Sequence, residues 1–227
     1  MRKFLKFLLV LAIIVAVIYG IFFFALRTTG KKVDVTYSEK DIKSYMEKTG
    51  VTFDSNSAGY AEYMTGKFKG VGSKPVEGTV TNSEVTAIVN KTADESGLCK
   101  DFAIKFHSDG TMEASFVLDK NLDLLYAMVP EAEKYDNILK LAAGTPVYFK
   151  NKIEYLGDNK FQAVTEELYF GRIPLPVDTA DKELTPVGTQ ANKIISQIDG
   201  LNIEELSFSD DGLYFKGDIP EAIVVIP

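Results

Sequence analysis

Between Phe7 and Leu26 the chain carries 20 consecutive uncharged residues, nearly all apolar. As a helix, a run of that length spans a hydrocarbon core of roughly 30 Å. Arg2, Lys3 and Lys6 precede it, and Arg27, Lys31 and Lys32 follow it. A cleaved secretory signal has a shorter apolar region of about 7–15 residues that closes on small side chains. Here the run closes on Ile21-Phe22-Phe23-Phe24-Ala25-Leu26, and no nearby cysteine is placed to take a lipid anchor. The reading is an uncleaved single-pass anchor. Residues 1–32 form a cytoplasmic flank, the span and a juxtamembrane linker, and residues 33–227 form an extracytoplasmic domain. Three basic residues on each side leave the positive-inside rule nearly silent, but a short flank ahead of a long domain favours a cytoplasmic N-terminus.

The charge of the two parts differs. Residues 1–32 hold six basic and no acidic side chains, so against a chain total of −7 the remaining 195 residues carry −13. An acidic domain without a basic cluster lacks the phosphate-neutralising groups on which nucleic-acid binding rests. Cys99 is the only cysteine and His107 the only histidine. An internal disulfide and a cysteine-based zinc site are therefore excluded, and no Cys/His dyad is expected. A cysteine-poor outer domain fits the envelope of Gram-positive bacteria better than a small secreted eukaryotic domain, which is usually stapled.

Periodicity divides the domain into helices and hairpins. Ser38 with Asp41, then Ile42, Tyr45 and Met46, and Gly50 as the stop, predict a short helix. Thr81 with Glu84 forms a second capping box ahead of Val85, Ile88 and Val89. Residues 102–118 alternate around Ser108-Asp109-Gly110 and predict a hairpin. Further helices are expected near Leu122–Gly144 and Pro186–Ile198. Two more hairpins are expected, one around "GDNK" from Gly157 and one around Asp211-Gly212. Glycine-rich residues 59–78 read as loop or irregular strand. The pattern Phe106-x-Ser108-Asp109-Gly110 recurs as Phe208-x-Asp210-Asp211-Gly212, either by duplication or because Asp-Gly suits hairpin turns. The resulting fold class is α+β: antiparallel hairpins with helices packed on one face.

No constellation in the chain suits catalysis. His107 sits beside a turn, opposite in phase to Phe106. The adjacent pairs Glu166-Glu167, Glu204-Glu205 and Asp210-Asp211 alternate across strand faces and cannot share a site. "DSNSAGY" from Asp54 starts like a calcium loop but has Thr65 where the final glutamate belongs. Asn90 begins an Asn-Lys-Thr glycosylation sequon. No nucleotide-loop, zinc-protease or serine-hydrolase motif is present. The expectation is a non-enzyme with neither metal nor cofactor.

Apolar surface is what remains. In "YFGRIPLPVDT", Pro174 and Pro176 cannot donate to a sheet, so the segment cannot be a central strand. Its apolar side either packs under a helix or lines a groove. Phe170, Ile173, Leu175 and Val177, with Ile194, Ile195 and Ile198 of the helix expected next, are the groove candidates.

"TNSEVTAIVNK", "LYFGRIPLPV" and "LSFSDDGLYFKGDI", in this order behind an anchor, resemble the YpmS-like family of membrane-anchored extracytoplasmic proteins of Firmicutes. The resemblance supplies no catalytic residues. It implies an ectodomain of curved sheet and helix similar in general look to lipid-binding tubular folds. The expected function is binding of a lipid or other amphipathic cell-envelope ligand in an apolar groove. The alternative is a structural protein that docks an envelope, division or sporulation partner without a small ligand.

Overall fold

The structure is a computed structural model of the chain. It describes residues 30–51, 68–96, 99–119, 143–177 and 198–225, with isolated positions between these stretches. The apolar run, the Asp54 loop and most of the two segments expected as helices near 122–144 and 186–198 lie outside the described residues. Among the described residues no helix is long and apolar enough to cross a membrane.

Two helices and ten strands are described: α1 Glu39–Thr49 and α2 Asn82–Ser96; β1 Phe68–Val71, β2 Lys74–Thr81, β3 Cys99–Phe106, β4 Thr111–Leu118, β5 Pro146–Gly157, β6 Lys160–Phe170, β7 Ile173–Pro174, β8 Asn202–Ser209, β9 Gly212–Ile219 and β10 Ala222–Val225. The strands form three antiparallel sheets. One has the order β3-β4-β5-β6-β7, one the order β2-β9-β8, and β1 with β10 makes a separate ribbon.

The expected α+β layering is overturned, because the described residues are predominantly β. Only two helices stand beside ten strands, and the two larger sheets contact each other directly. Phe106 at the end of β3 stacks on Phe208 of β8 with ring centroids 5.3 Å apart. The Tyr155 hydroxyl of β5 donates to the Ile203 carbonyl of β8 at 2.8 Å. In the β5–β6 turn, Asn159 clamps the start of β8, donating to the Leu201 carbonyl and accepting from the Ile203 N–H at 2.8 and 3.0 Å.

Both helices start where their capping residues place them, and α1 also stops at its own. In α1 the Asp41 carboxylate accepts from the Ser38 N–H and hydroxyl, and Gly50 takes a left-handed conformation as its N–H reaches the Met46 carbonyl. In α2 Thr81 and Glu84 bond each other reciprocally, closing the capping box.

Helix α2 lies along the outer edge of β3 and takes the place of a neighbouring strand. Asn82 accepts from the Phe106 N–H at 2.9 Å. Thr86 bonds both the N–H and the carbonyl of Ile104. Asn90 bonds both backbone groups of Phe102, at 2.8 and 2.7 Å. Four residues of helix rise about 6 Å and two residues of strand about 6.6 Å, so side chains four apart track alternate strand residues. An edge satisfied in this way is closed to pairing with another chain.

Behind the five-stranded sheet, the segment leading into α1 supplies a cover. Val33 is buried with Ala103 and Tyr148, and its N–H donates to the Ser115 hydroxyl at 3.0 Å. Beyond Leu118, a second small cluster holds Cys99, Leu118 and Leu122, with Phe102 and Phe116 stacked beside it.

Candidate functional site

The sheet β2-β9-β8 is two-faced. Its register puts Glu77 opposite Lys216 on one side, where Tyr214 donates to Glu77 at 3.0 Å. On the other side Val80 lies opposite Leu213, Gly78 opposite Phe215, Leu206 opposite Phe215 and Phe208 opposite Leu213. Strand alternation thus gathers the apolar side chains of three strands onto one face.

Among the described residues that face is not closed. None of the large apolar residues of β2, β8 or β9 is among the buried core residues; Val76, Val80, Leu206, Phe208, Leu213 and Phe215 are all half-buried. Two cavities front it. The first, about 370 Å³, lies between the sheet and the helices, with Tyr45 of α1 and Val85, Ile88 and Val89 of α2 opposite Val76, Val80 and Phe215. The second, about 430 Å³, lies between the two larger sheets, with Ile153, Phe161 and Ala163 facing Leu206 and Phe208. Leu213 and Phe215 wall both cavities, so the two adjoin along β9. Each falls in the range of about 300–1,000 Å³ found for small-molecule sites.

Gly78 makes part of the room. A Cβ built on it meets no atom within 4 Å, so the first cavity extends where a strand side chain would ordinarily stand.

Charge is confined to the rim. Among the described lining residues of the first cavity only Lys48 and Glu77 are ionisable as acid or amine; the second has none. Lys48 is already committed, lying 2.8 and 2.9 Å from the two oxygens of Glu84 and 3.0 Å from the Thr79 carbonyl. Burial alone would push the Glu84 carboxyl up. Hydrogen bonds from Lys48, the Ser44 hydroxyl and the Thr81 N–H outweigh it and hold the group below the usual range. The arrangement suits an apolar chain and offers little to a strongly charged ligand.

The sequence-predicted groove residues separate. Ile195 lines the second cavity. Ile198 is half-buried and donates its N–H to the Ile195 carbonyl, while Ile194 lies outside the described residues. Phe170 pairs with Val147 and Ile173 at the far end of β6, about 23 Å along the strand from Ala163. Leu175, bonded through its N–H to the Leu168 carbonyl, is 40% exposed, and Val177 is half-buried. The segment Phe170–Val177 is therefore an edge, with β7 only two residues long, and no residue of it walls either cavity. The cavity walls are the alternating residues of β8, β9 and β2, the last lying mostly in the stretch 59–78 that reads in sequence as loop or irregular strand. Alternation marks an apolar face but carries no sign of whether anything covers it.

The remaining candidates resolve differently. Asn90, in the sequon, is buried to 2% and uses its amide on the backbone, so it cannot accept a glycan in the folded chain. His107, opposite in phase to the buried Phe106, is half-buried, with Nε2 2.9 Å from Glu113 and Nδ1 3.9 Å from Asp210. The two similar turns meet in space: the Ser108 N–H donates to Asp210, and Asn82 bonds the backbone of both Asp210 and Asp211. Cys99 is buried, and burial together with the charge of Asp119 pushes its thiol up to about 12. Among the described residues no group of His, Cys, Asp or Glu could hold a metal ion.

Comparison with known proteins gives no matching family model, no matching curated protein and no matching solved structure.

Proposed function

We propose that the chain is a membrane-anchored, extracytoplasmic binding protein whose domain holds a lipid or another amphipathic envelope molecule along β9. The observation that carries this reading is the open apolar face of β2-β9-β8, fronted by two adjoining cavities whose walls are almost wholly uncharged. The apolar run Phe7–Leu26 supplies the location, with the N-terminus in the cytoplasm and the domain outside. An acyl chain would lie across Val80, Leu213, Phe215 and Leu206, and its polar end would meet the rim near Lys48 and Thr49.

Mass spectrometry of the purified chain from Gly30 onward tests this. Bound lipid, or stoichiometric uptake of a fluorescent fatty acid, is expected for the native sequence and strongly reduced in Leu213→Glu. Absence of both in a folded native domain overturns the reading.

A second reading has one observation in its favour. The β1–β10 ribbon carries Val71, Ile223 and Val224 at 46%, 43% and 39% exposure, an apolar surface of the kind used to dock a protein. Retention of one stoichiometric envelope partner that is lost on Ile223→Asp, with no lipid bound, would select it.

A further inference from the structure

From Gly30, four residues past the end of the apolar run, the chain is fixed on the sheet. The Lys31 N–H donates to the Gly171 carbonyl at 3.3 Å. Gly30 lies so close to the β6–β7 turn that a Cβ there would meet the Gly171 oxygen at 2.8 Å and Pro146 Cβ at 2.9 Å. The Lys31 ammonium pairs with Glu167 and stands 4.1 Å above the ring of Tyr148 and 5.2 Å from that of Tyr169. Val33, two residues on, is buried.

Only Arg27, Thr28 and Thr29 separate Leu26 from Gly30. Four Cα–Cα steps reach at most about 15 Å, whatever path they take. The headgroup layer on each side of the hydrocarbon is roughly 5–8 Å deep. A domain held at Gly30 must therefore keep the Gly171 turn in that layer or just beyond it.

The surface at this corner suits such a place. β7 runs back along β6 from the Gly171 turn, presenting Ile173, Pro174, Leu175 and Pro176, of which Leu175 is 40% exposed. Arg172 and Lys32 are exposed beside it, and the half-buried Tyr169 lies under Lys31. Apolar side chains among basic and tyrosyl neighbours form the usual composition of a membrane–water boundary.

We propose that the lip Gly171–Val177 is a membrane-contact surface, with Leu175 seated at the headgroup–acyl boundary of the bilayer that Phe7–Leu26 crosses. This rests on the anchored reading given above. Contact at the lip fixes the domain's tilt as well as its distance from the membrane.

The test uses the full chain with Cys99→Ala, reconstituted into vesicles of phosphatidylethanolamine and phosphatidylglycerol. An environment-sensitive fluorophore is placed on Leu175→Cys or, as control, on Leu156→Cys. Leu156 is 55% exposed and sits at the other end of the same hairpin, about 33 Å along β5 from Pro146. The proposal expects a blue-shifted emission at position 175 and loss of most of its fluorescence to nitroxide-labelled lipids, with neither at position 156. Protein that floats with the vesicles but shows equal, water-like emission at both positions overturns the lip contact and leaves the anchor standing. Protein that does not float with the vesicles overturns the anchor and the lip contact together.

Discussion

Asn90 marks the distance between a residue's type and its work. In sequence it opens a glycosylation sequon; in the fold it is buried and satisfies both backbone groups of Phe102. Asn90→Ala leaves a buried N–H and carbonyl without partners, at a cost of roughly 2–3 kcal/mol. A melting temperature lower by roughly 5–10 °C is the expected reading for a domain of this size. Glu84 works in the opposite way, since its capping role was legible from Thr81-x-x-Glu84 while its partners Ser44 and Lys48 were not. Its carboxyl is held below the ordinary value of 4.5, so the unfolded chain binds the proton more tightly than the folded one. The stability it contributes is fully present above about pH 4.5 and is lost as pH falls through the lowered folded value. Urea unfolding as a function of pH should therefore show a steeper acid loss in the native protein than in Glu84→Gln. The variant itself costs about 1–2 kcal/mol at neutral pH through the lost hydrogen bonds.

At the scale of elements, the β2-β9-β8 sheet and α2 define what the molecule offers. Helix α2 spends its polar residues on the edge of β3 and its apolar residues Val85, Ile88 and Val89 on the first cavity. The sheet opposite is smooth at Gly78, where a side chain has open space. Gly78→Phe should fill that space without moving backbone. Fatty-acid uptake should fall at least tenfold, while the urea midpoint stays the same or rises, because glycine in a strand interior costs roughly 0.5–1 kcal/mol. A fall in both would mean that the cavity is part of a closed core. The hairpins themselves were readable from alternation and from their Asp-Gly and Asp-Asn turns. In the β5–β6 turn Asp158 and Asn159 both take positive φ, the conformation such turns demand.

For the whole molecule, the distance between the apolar run and the domain is the controlling dimension. On the proposed anchoring, a leash of three residues permits no free rotation of the domain above the bilayer. Inserting ten Gly/Ser residues between Thr29 and Gly30 adds up to about 35 Å of reach. Lipid quenching at Leu175→Cys should then fall while the protein still floats with vesicles. Were quenching unchanged, the lip would be held by its own membrane affinity and not by the tether.

The sequence by itself determined the strands of the three hairpins, the helix starts and the hairpin turns, but not β1 and β2 in the glycine-rich stretch. These depend on neighbours two to four residues apart, and a local signal suffices for them. It also determined that Pro174 and Pro176 bar the "GRIPLPV" segment from the middle of a sheet. It did not determine the layering. Whether an apolar strand face is met by a helix, by another sheet or by an open cavity depends on contacts between residues far apart in the chain. The pairing of Val80 with Leu213 and the stacking of Phe106 on Phe208 are of this kind. The α+β expectation failed for that reason. The open face along β9, and the seating of Gly30 against Gly171, were decided only in three dimensions.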